Sequence, residues 1–119
     1  MKNLNYCIIG AGRWGKNHIR TANELGVLAG IVESNKSAQD ELKEHYPNVN
    51  VYSSLDDAGA LDYDAYSVVV PAEHHYSVAK TLIKHKKHVL IEKPITTNSK
   101  ESNELVELAK ANNVIVCVG

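Results

Sequence analysis

The sequence has almost no excess charge of either sign. Thirteen Lys and Arg stand against fourteen Asp and Glu over 119 residues, a formal net charge of -1 at pH 7. A chain so balanced offers no overall positive field to a phosphate polymer, so nucleic acid is not an expected partner. No apolar run approaches the roughly 20 residues of a membrane-crossing helix. The start, Met1-Lys2-Asn3-Leu4-Asn5-Tyr6, passes straight into a short strand-like run without the apolar stretch and small-residue cleavage site of a secretory signal. The expectation is a cytoplasmic protein with no membrane partner. Cysteine is scarce: Cys7 and Cys117 are the only two, both in apolar runs. A thiol there behaves as a small buried hydrophobe, and reduced thiols rather than a disulfide are expected. Metal-site spacing is missing too, since His74-His75 and His85 with His88 join no Cys or carboxylate set, and no metal is expected.

What is there suits one soluble domain: the hydrophobic fraction of 44% and charged fraction of 23% exclude both a disordered and a membrane composition. At this length one core can be buried, with little room for a second. Short β-branched runs alternate with longer amphipathic segments, the pattern of βα units. Strands are predicted at Tyr6–Ile9, Val27–Val32, Val51–Tyr52, Ala65–Val70, His88–Ile91 and Val114–Val118. Helices are predicted at Trp14–Leu25, Ser37–Tyr46, Ser54–Gly59, His75–His85 and Ser99–Asn112. Ser67 to Val70 and Val114 to Val118 show no polar alternation, so both faces of those strands should be covered. The last helix carries the clearest boundaries, with Asn98 and Glu101 at capping-box spacing and Asn112-Asn113 able to supply a left-handed stop. The expected fold is α/β, a doubly wound parallel sheet in the order 3-2-1-4-5-6 with helices on both faces.

Between the first strand and first helix lies Gly10-Ala11-Gly12-Arg13-Trp14-Gly15, a G-x-G-x-x-G turn in the context that a dinucleotide fingerprint requires. Gly10 permits the tight turn, Gly12 lets backbone approach a pyrophosphate, and Gly15 lets the helix pack closely. Helix N-terminal amides then face the phosphates. Arg13 and Trp14 lie within the turn and join the cofactor-binding candidates; Trp14 either stacks near the pyrophosphate or packs in the first helical turn. Glu33 ends the second strand, 21 positions beyond Gly12. An acidic side chain there accepts hydrogen bonds from the adenosine ribose and repels a 2'-phosphate, which favours NAD over NADP. Ser34-Asn35-Lys36 contains no Arg to offset that repulsion.

Further on come Val70-Pro71-Ala72-Glu73-His74-His75, then Lys87-His88-Val89-Leu90-Ile91-Glu92-Lys93-Pro94, then Val118-Gly119. With the glycine turn, these residues resemble the N-terminal half of the glucose-fructose oxidoreductase / inositol dehydrogenase (Gfo/Idh/MocA) family over essentially the whole chain. Glu92-Lys93-Pro94 is the most specific marker. Arg13 to His18 and Glu24 to Leu28 look most like members that oxidise carbon 3 of a UDP-linked N-acetylated hexuronic acid, the UDP-N-acetylglucosaminuronate 3-dehydrogenases.

The resemblance implies that Lys93 is the catalytic residue of this half, handling a proton or orienting the substrate hydroxyl. A desolvated lysine beside positive nicotinamide charge can serve as a general base. It implies that Glu92 reaches the ribose next to the nicotinamide and that Pro71 lies beside the cofactor. His75 either lines the same groove or is a helix-start histidine satisfied by local hydrogen bonds. Two positions depart from the family: Val70 replaces a frequent Thr, and Lys86 replaces a frequent Gly, costing roughly 1 kcal/mol if its backbone is left-handed. Asp56-Asp57 and Asp62-Tyr63-Asp64 read as surface charge away from the ligand-binding strand ends, and Lys84 to His88 as a solvated helix end.

The whole chain, residues 1–119, is thus expected to be the dinucleotide-binding domain. The family's C-terminal domain, which takes the sugar or UDP-sugar substrate and carries much of the homo-oligomer contact, is absent from it. Two functions stay open: the cofactor half of an oxidoreductase passing a hydride from a sugar carbinol to NAD, or a self-standing NAD-binding module without turnover.

Overall fold

The computed structural model describes residues 4–92 and 98–118, apart from the side chains of Arg13 and Trp14. Its elements run β1 (Tyr6–Ile9), α1 (Arg13–Glu24), β2 (Leu28–Val32), α2 (Lys36–His45), β3 (Asn50–Tyr52), β4 (Ala65–Val68), α3 (His75–Lys84), β5 (His88–Ile91), α4 (Ser99–Asn112) and β6 (Val116–Val118). The strands form one sheet in the order β3-β2-β1-β4-β5-β6. Every pairing is parallel. This is the doubly wound arrangement expected from the alternating pattern, and its chain order reverses between β1 and β4.

Alternate strand residues serve opposite faces, so the core of this one domain lies in two layers, one on each face of the sheet. Cys7 and Ile9 of β1, Tyr66 and Val68 of β4, and Val89 and Ile91 of β5 pack with Ala79, Leu82 and Ile83 of α3 and Leu105 and Ala109 of α4. On the other face Ile8 and Ile31 meet Ile19 and Ala22 of α1 and Leu42 of α2. Burying each such aliphatic side chain contributes about 1.5–3 kcal/mol, which fixes which way each strand faces. Cys7 lies fully inside, and burial pushes its thiol well above the usual range, so it is not a nucleophile.

Three expectations are corrected. No helix forms at 54–59, where the chain runs in turns. There the Asp57 carboxylate accepts from the Ser53 amide and hydroxyl, both at 2.7 Å, and from the Ser54 amide at 3.3 Å, while the Ser54 hydroxyl accepts from the Asp56 amide. These local bonds give the backbone an alternative to helical pairing. Nor is the last strand covered on both faces: β6 is the outermost strand of the sheet among the described residues, with Val118 48% exposed and Ile115, just before it, 63% exposed. Cys117 is exposed rather than buried for the same reason, although both cysteines are free as expected.

Both helix stops after α3 and α4 use left-handed residues. Asn113 (φ 57°) ends α4, with Val114 N–H donating back to the Ala109 carbonyl at 3.1 Å. Asn98 caps the other end of α4, its Oδ1 accepting from Glu101 N at 2.8 Å. Lys86 (φ 61°) ends α3: its N–H donates to Ile83 O and that of Lys87 to Leu82 O, a Schellman closure that glycine makes without strain. Lys86→Gly is therefore expected to raise stability by about 1 kcal/mol. Thermal unfolding monitored by circular dichroism should show a midpoint a few degrees higher. No helix among the described residues is long and apolar enough to cross a membrane.

Candidate functional site

Ligands of open parallel sheets bind outside the carboxyl ends of the strands at the point where strand order reverses. At that edge lies a groove of about 490 Å³. The glycine turn, the β2 end at Glu33 and Ser34, the β3 exit at Ser53 to Asp56, and Val69 to Pro71 after β4 all line it.

Each glycine of the turn has a separate physical reason. Gly10 sits at φ +99°, and a Cβ there would lie 2.3 Å from Val69 O. A Cβ on Gly15 would meet the carbonyl oxygen of Gly10 at 2.0 Å, so this glycine lets α1 start directly against the turn. Gly12 is different, for a Cβ there would have nothing within 4 Å. Its surroundings are open space at the start of α1, where Gly12 is the N-cap and provides no side-chain bond. Asn35 and Asn98 cap α2 and α4 with their side chains. The first turn of α1 also lacks any acidic residue. Among the described residues, therefore, no side chain caps its leading amides, which with the positive end of the helix dipole can receive an anion. An uncapped helix start under open space fits a pyrophosphate.

Glu33 is tied into the same turn. Its Oε1 accepts from Ala11 N at 2.8 Å and its Oε2 from Asn35 N at 2.8 Å. Each carboxylate oxygen keeps a further lone pair, so the group can accept ribose hydroxyls while bracing the turn. Glu33 and Asp56 are the charged residues lining this groove among those described. Lys36, the nearest cation in sequence to Glu33, points along its own helix with Nζ 2.9 Å from Asp40 Oδ1. Asp56 corrects the expectation that this acidic pair lies away from the binding edge, because Ser53 to Asp57 directly follow the carboxyl end of β3. Bonds from the Ser53 hydroxyl and amide, then from the Ser54 amide, hold the Asp57 carboxyl below the usual carboxylate range. Sequence reading missed this stretch because it took residues 54–59 for a helix. The Ser-Ser-x-Asp-Asp composition was the turn signal available.

The remaining candidates separate. Pro71 lines the groove. His75 does not: it is 2% exposed, and its Nε2 donates to the Val70 carbonyl at 2.8 Å. It buttresses the segment leading to Pro71 from behind, the local satisfaction that a helix-start histidine allows. Glu92 follows the carboxyl end of β5, its amide donating to Val68 O at 3.2 Å. Its carboxylate meets His18 of α1, Oε1 to Nε2 at 2.6 Å. Lys93 and Pro94 lie outside the described residues, as do the side chains of Arg13 and Trp14. Among the described residues no group of three or more His, Cys, Asp or Glu is arranged to hold a metal ion.

A family model described as "Oxidoreductase family, NAD-binding Rossmann fold", that of Gfo/Idh/MocA, matches residues 4–119. Similar curated proteins include the UDP-N-acetylglucosamine 3-dehydrogenase of Acidithiobacillus ferrooxidans, 29% identical over 94% of this chain and 35% of that protein. An inositol 2-dehydrogenase of Corynebacterium glutamicum is 30% identical over 90% of this chain and 33% of its own length. Among solved structures, the WlbA dehydrogenase of Bordetella pertussis in complex with NADH and UDP-GlcNAcA superposes with a TM-score of 0.90 at 25% identity, over 99% of this chain and 37% of that one. The chain thus spans about a third of the length of these relatives.

Proposed function

The chain belongs to the Gfo/Idh/MocA oxidoreductase family, with its NAD-binding Rossmann fold, and on that premise we propose that it is the NAD-holding part of a dehydrogenase acting on a sugar or sugar-nucleotide carbinol. The observation that carries this reading is the open space over Gly12 at the uncapped start of α1, with Glu33 in the same groove. The glycine turn and the α1 amides hold the pyrophosphate. Glu33 accepts from the adenosine ribose, Pro71 borders the groove, and Arg13 and Trp14 flank the phosphates. Glu92 accepts from the ribose on the nicotinamide side, and Lys93 receives the substrate's hydroxyl proton. When bound, NAD supplies the hydride acceptor.

NAD is favoured over NADP because a 2'-phosphate beside Glu33 and Asp56 meets like charge, and Lys36 is engaged with Asp40. Substrate contacts and homo-oligomer assembly belong, on this reading, to a second unit outside residues 1–119. A UDP-linked N-acetylhexosamine or its uronic acid is the favoured substrate class, since dehydrogenases named for such sugars, or solved with one, are among the relatives. A module without turnover gains nothing from those relatives, which are named as dehydrogenases.

Calorimetric titration tests the cofactor. NAD(H) should bind, with NADP(H) weaker by about tenfold or more, a difference of about 1.4 kcal/mol. Absence of NAD(H) binding would overturn the reading, and equal affinities would remove the stated selectivity. For the reaction, a full-length form is assayed for NADH formation with UDP-N-acetylglucosaminuronate, UDP-N-acetylglucosamine and inositol. Bound NAD without an absorbance change on any of them would return the choice to a turnover-free module.

A further inference from the structure

Helix α1 and the exit of β5 are joined by one side-chain contact that the glycine fingerprint does not require. His18 lies in the second turn of α1, and its Nε2 stands 2.6 Å from Glu92 Oε1. The two residues are 74 positions apart in sequence, and their side chains are 21% and 31% exposed. At that depth water competes only partly for the carboxylate, and a bond between a ring N–H and a carboxylate is among the stronger hydrogen bonds. The pair stands over a hollow of about 530 Å³ between α1 and the sheet, lined also by Asn17, Thr21, Ser67 and Leu90. Packing there does not hold the Glu92 side chain on every side, so its direction rests on a specific bond.

We infer that His18 is a positioning residue for cofactor binding, fixing the Glu92 carboxylate so that Oε2 is presented to a ligand hydroxyl at the β5 end of the strand edge. This deepens the NAD reading above and rests on it. Among the described residues Glu92 uses Oε1 for His18, while its backbone amide is anchored on Val68 O at 3.2 Å. Backbone and one oxygen are therefore held, and among the described residues the other oxygen makes no hydrogen bond, leaving its lone pairs to accept. The bond also ties the helix whose start receives the pyrophosphate to the strand end where Glu92 stands. One residue thereby couples the helix that starts at the glycine turn to the exit of β5. A carboxylate held before the ligand arrives loses less side-chain freedom on binding, which is the physical gain from such a contact.

The consequence is selective by ligand. ADP fills the adenosine and diphosphate part of the groove and does not reach Glu92, whereas ADP-ribose and NAD carry the second ribose. Titration calorimetry of the unaltered protein, His18→Ala and His18→Gln with ADP, ADP-ribose and NAD tests the inference. In His18→Ala, ADP affinity is expected within about twofold of the unaltered protein, and ADP-ribose and NAD weakened by about fivefold or more. His18→Gln, which keeps an N–H donor, should recover most of that loss. In a Glu92→Ala background, His18→Ala should add no further loss, because its only route to the ligand is then gone. Equal weakening of all three ligands would overturn the inference, showing that the change disturbs α1 generally. Unchanged NAD affinity in His18→Ala with ADP bound normally would overturn it as well. Failure of the unaltered protein to bind either ADP or NAD would instead remove the cofactor reading itself, and this inference with it.

Discussion

Gly15→Ala is expected to abolish measurable NAD binding and to lower stability by about 3 kcal/mol, even though alanine is the better helix former. Intrinsic propensity alone would credit the change with about 1 kcal/mol in favour of the helix. The new methyl carbon, however, would stand 2.0 Å from Gly10 O and 2.7 Å from the Gly10 carbonyl carbon. Those atoms are backbone, in a turn where Gly10 is itself hemmed in by Val69 O. Neither side can give way without moving α1 off the turn, so the steric term wins.

Gly12→Ala separates binding from folding. With φ -71° and ψ -164° its backbone suits any residue, and nothing lies within 4 Å of the added carbon. Stability should fall by only about 1 kcal/mol or less, the cost of alanine being a poorer N-cap than glycine. NAD affinity should fall about tenfold or more, because the methyl group takes the space proposed for the pyrophosphate. Chemical denaturation and calorimetry on the two variants decide the matter. A Gly12→Ala protein that binds NAD normally would mean that the pyrophosphate does not pass over this residue.

The second large effect is expected in turnover. Lys93→Met, made in an active full-length form, should lower kcat by about 100-fold or more while NAD affinity stays within about threefold, since a positioned proton acceptor contributes 10²–10⁴ to rate. Methionine keeps the length and apolar stem of lysine and removes only the amine. Single-turnover NADH formation reads the chemical step directly. Turnover within a few-fold of the unaltered enzyme would take Lys93 off the list of catalytic residues. A loss confined to KM would assign it to substrate orientation alone.

The glycine turn and Glu33 were legible in sequence because each depends on features a few residues long: a strand, a run of spaced glycines, a helix, and an acidic strand end. The parallel sheet was legible because short β-branched runs alternate with amphipathic segments, and the rule that a run without polar alternation is covered on both faces held for Ser67 and Val68 of β4, both buried. The same rule misread β6, since burial depends on what packs against a strand, and Ile115 and Val118 remain exposed. It misread 54–59 because two serines and Asp57 close the backbone locally, which helical periodicity does not register. His75 was undecidable from sequence, as a helix-start histidine can face either way. Its bond to Val70 O and its burial turn it inward.

By itself, then, the sequence determined the six strands and the four α-helices that form among the described residues, the three glycines of the turn and the acidic end of the second strand, all set by near neighbours along the chain. Only the tertiary structure decided that Glu33 braces Ala11 N, that Ser53 to Asp56 join the groove, and that His18 meets Glu92. Those contacts join residues on separate elements, and no local propensity specifies them. They exist because burying two apolar faces of one sheet brings the strand ends and the start of α1 to a common edge.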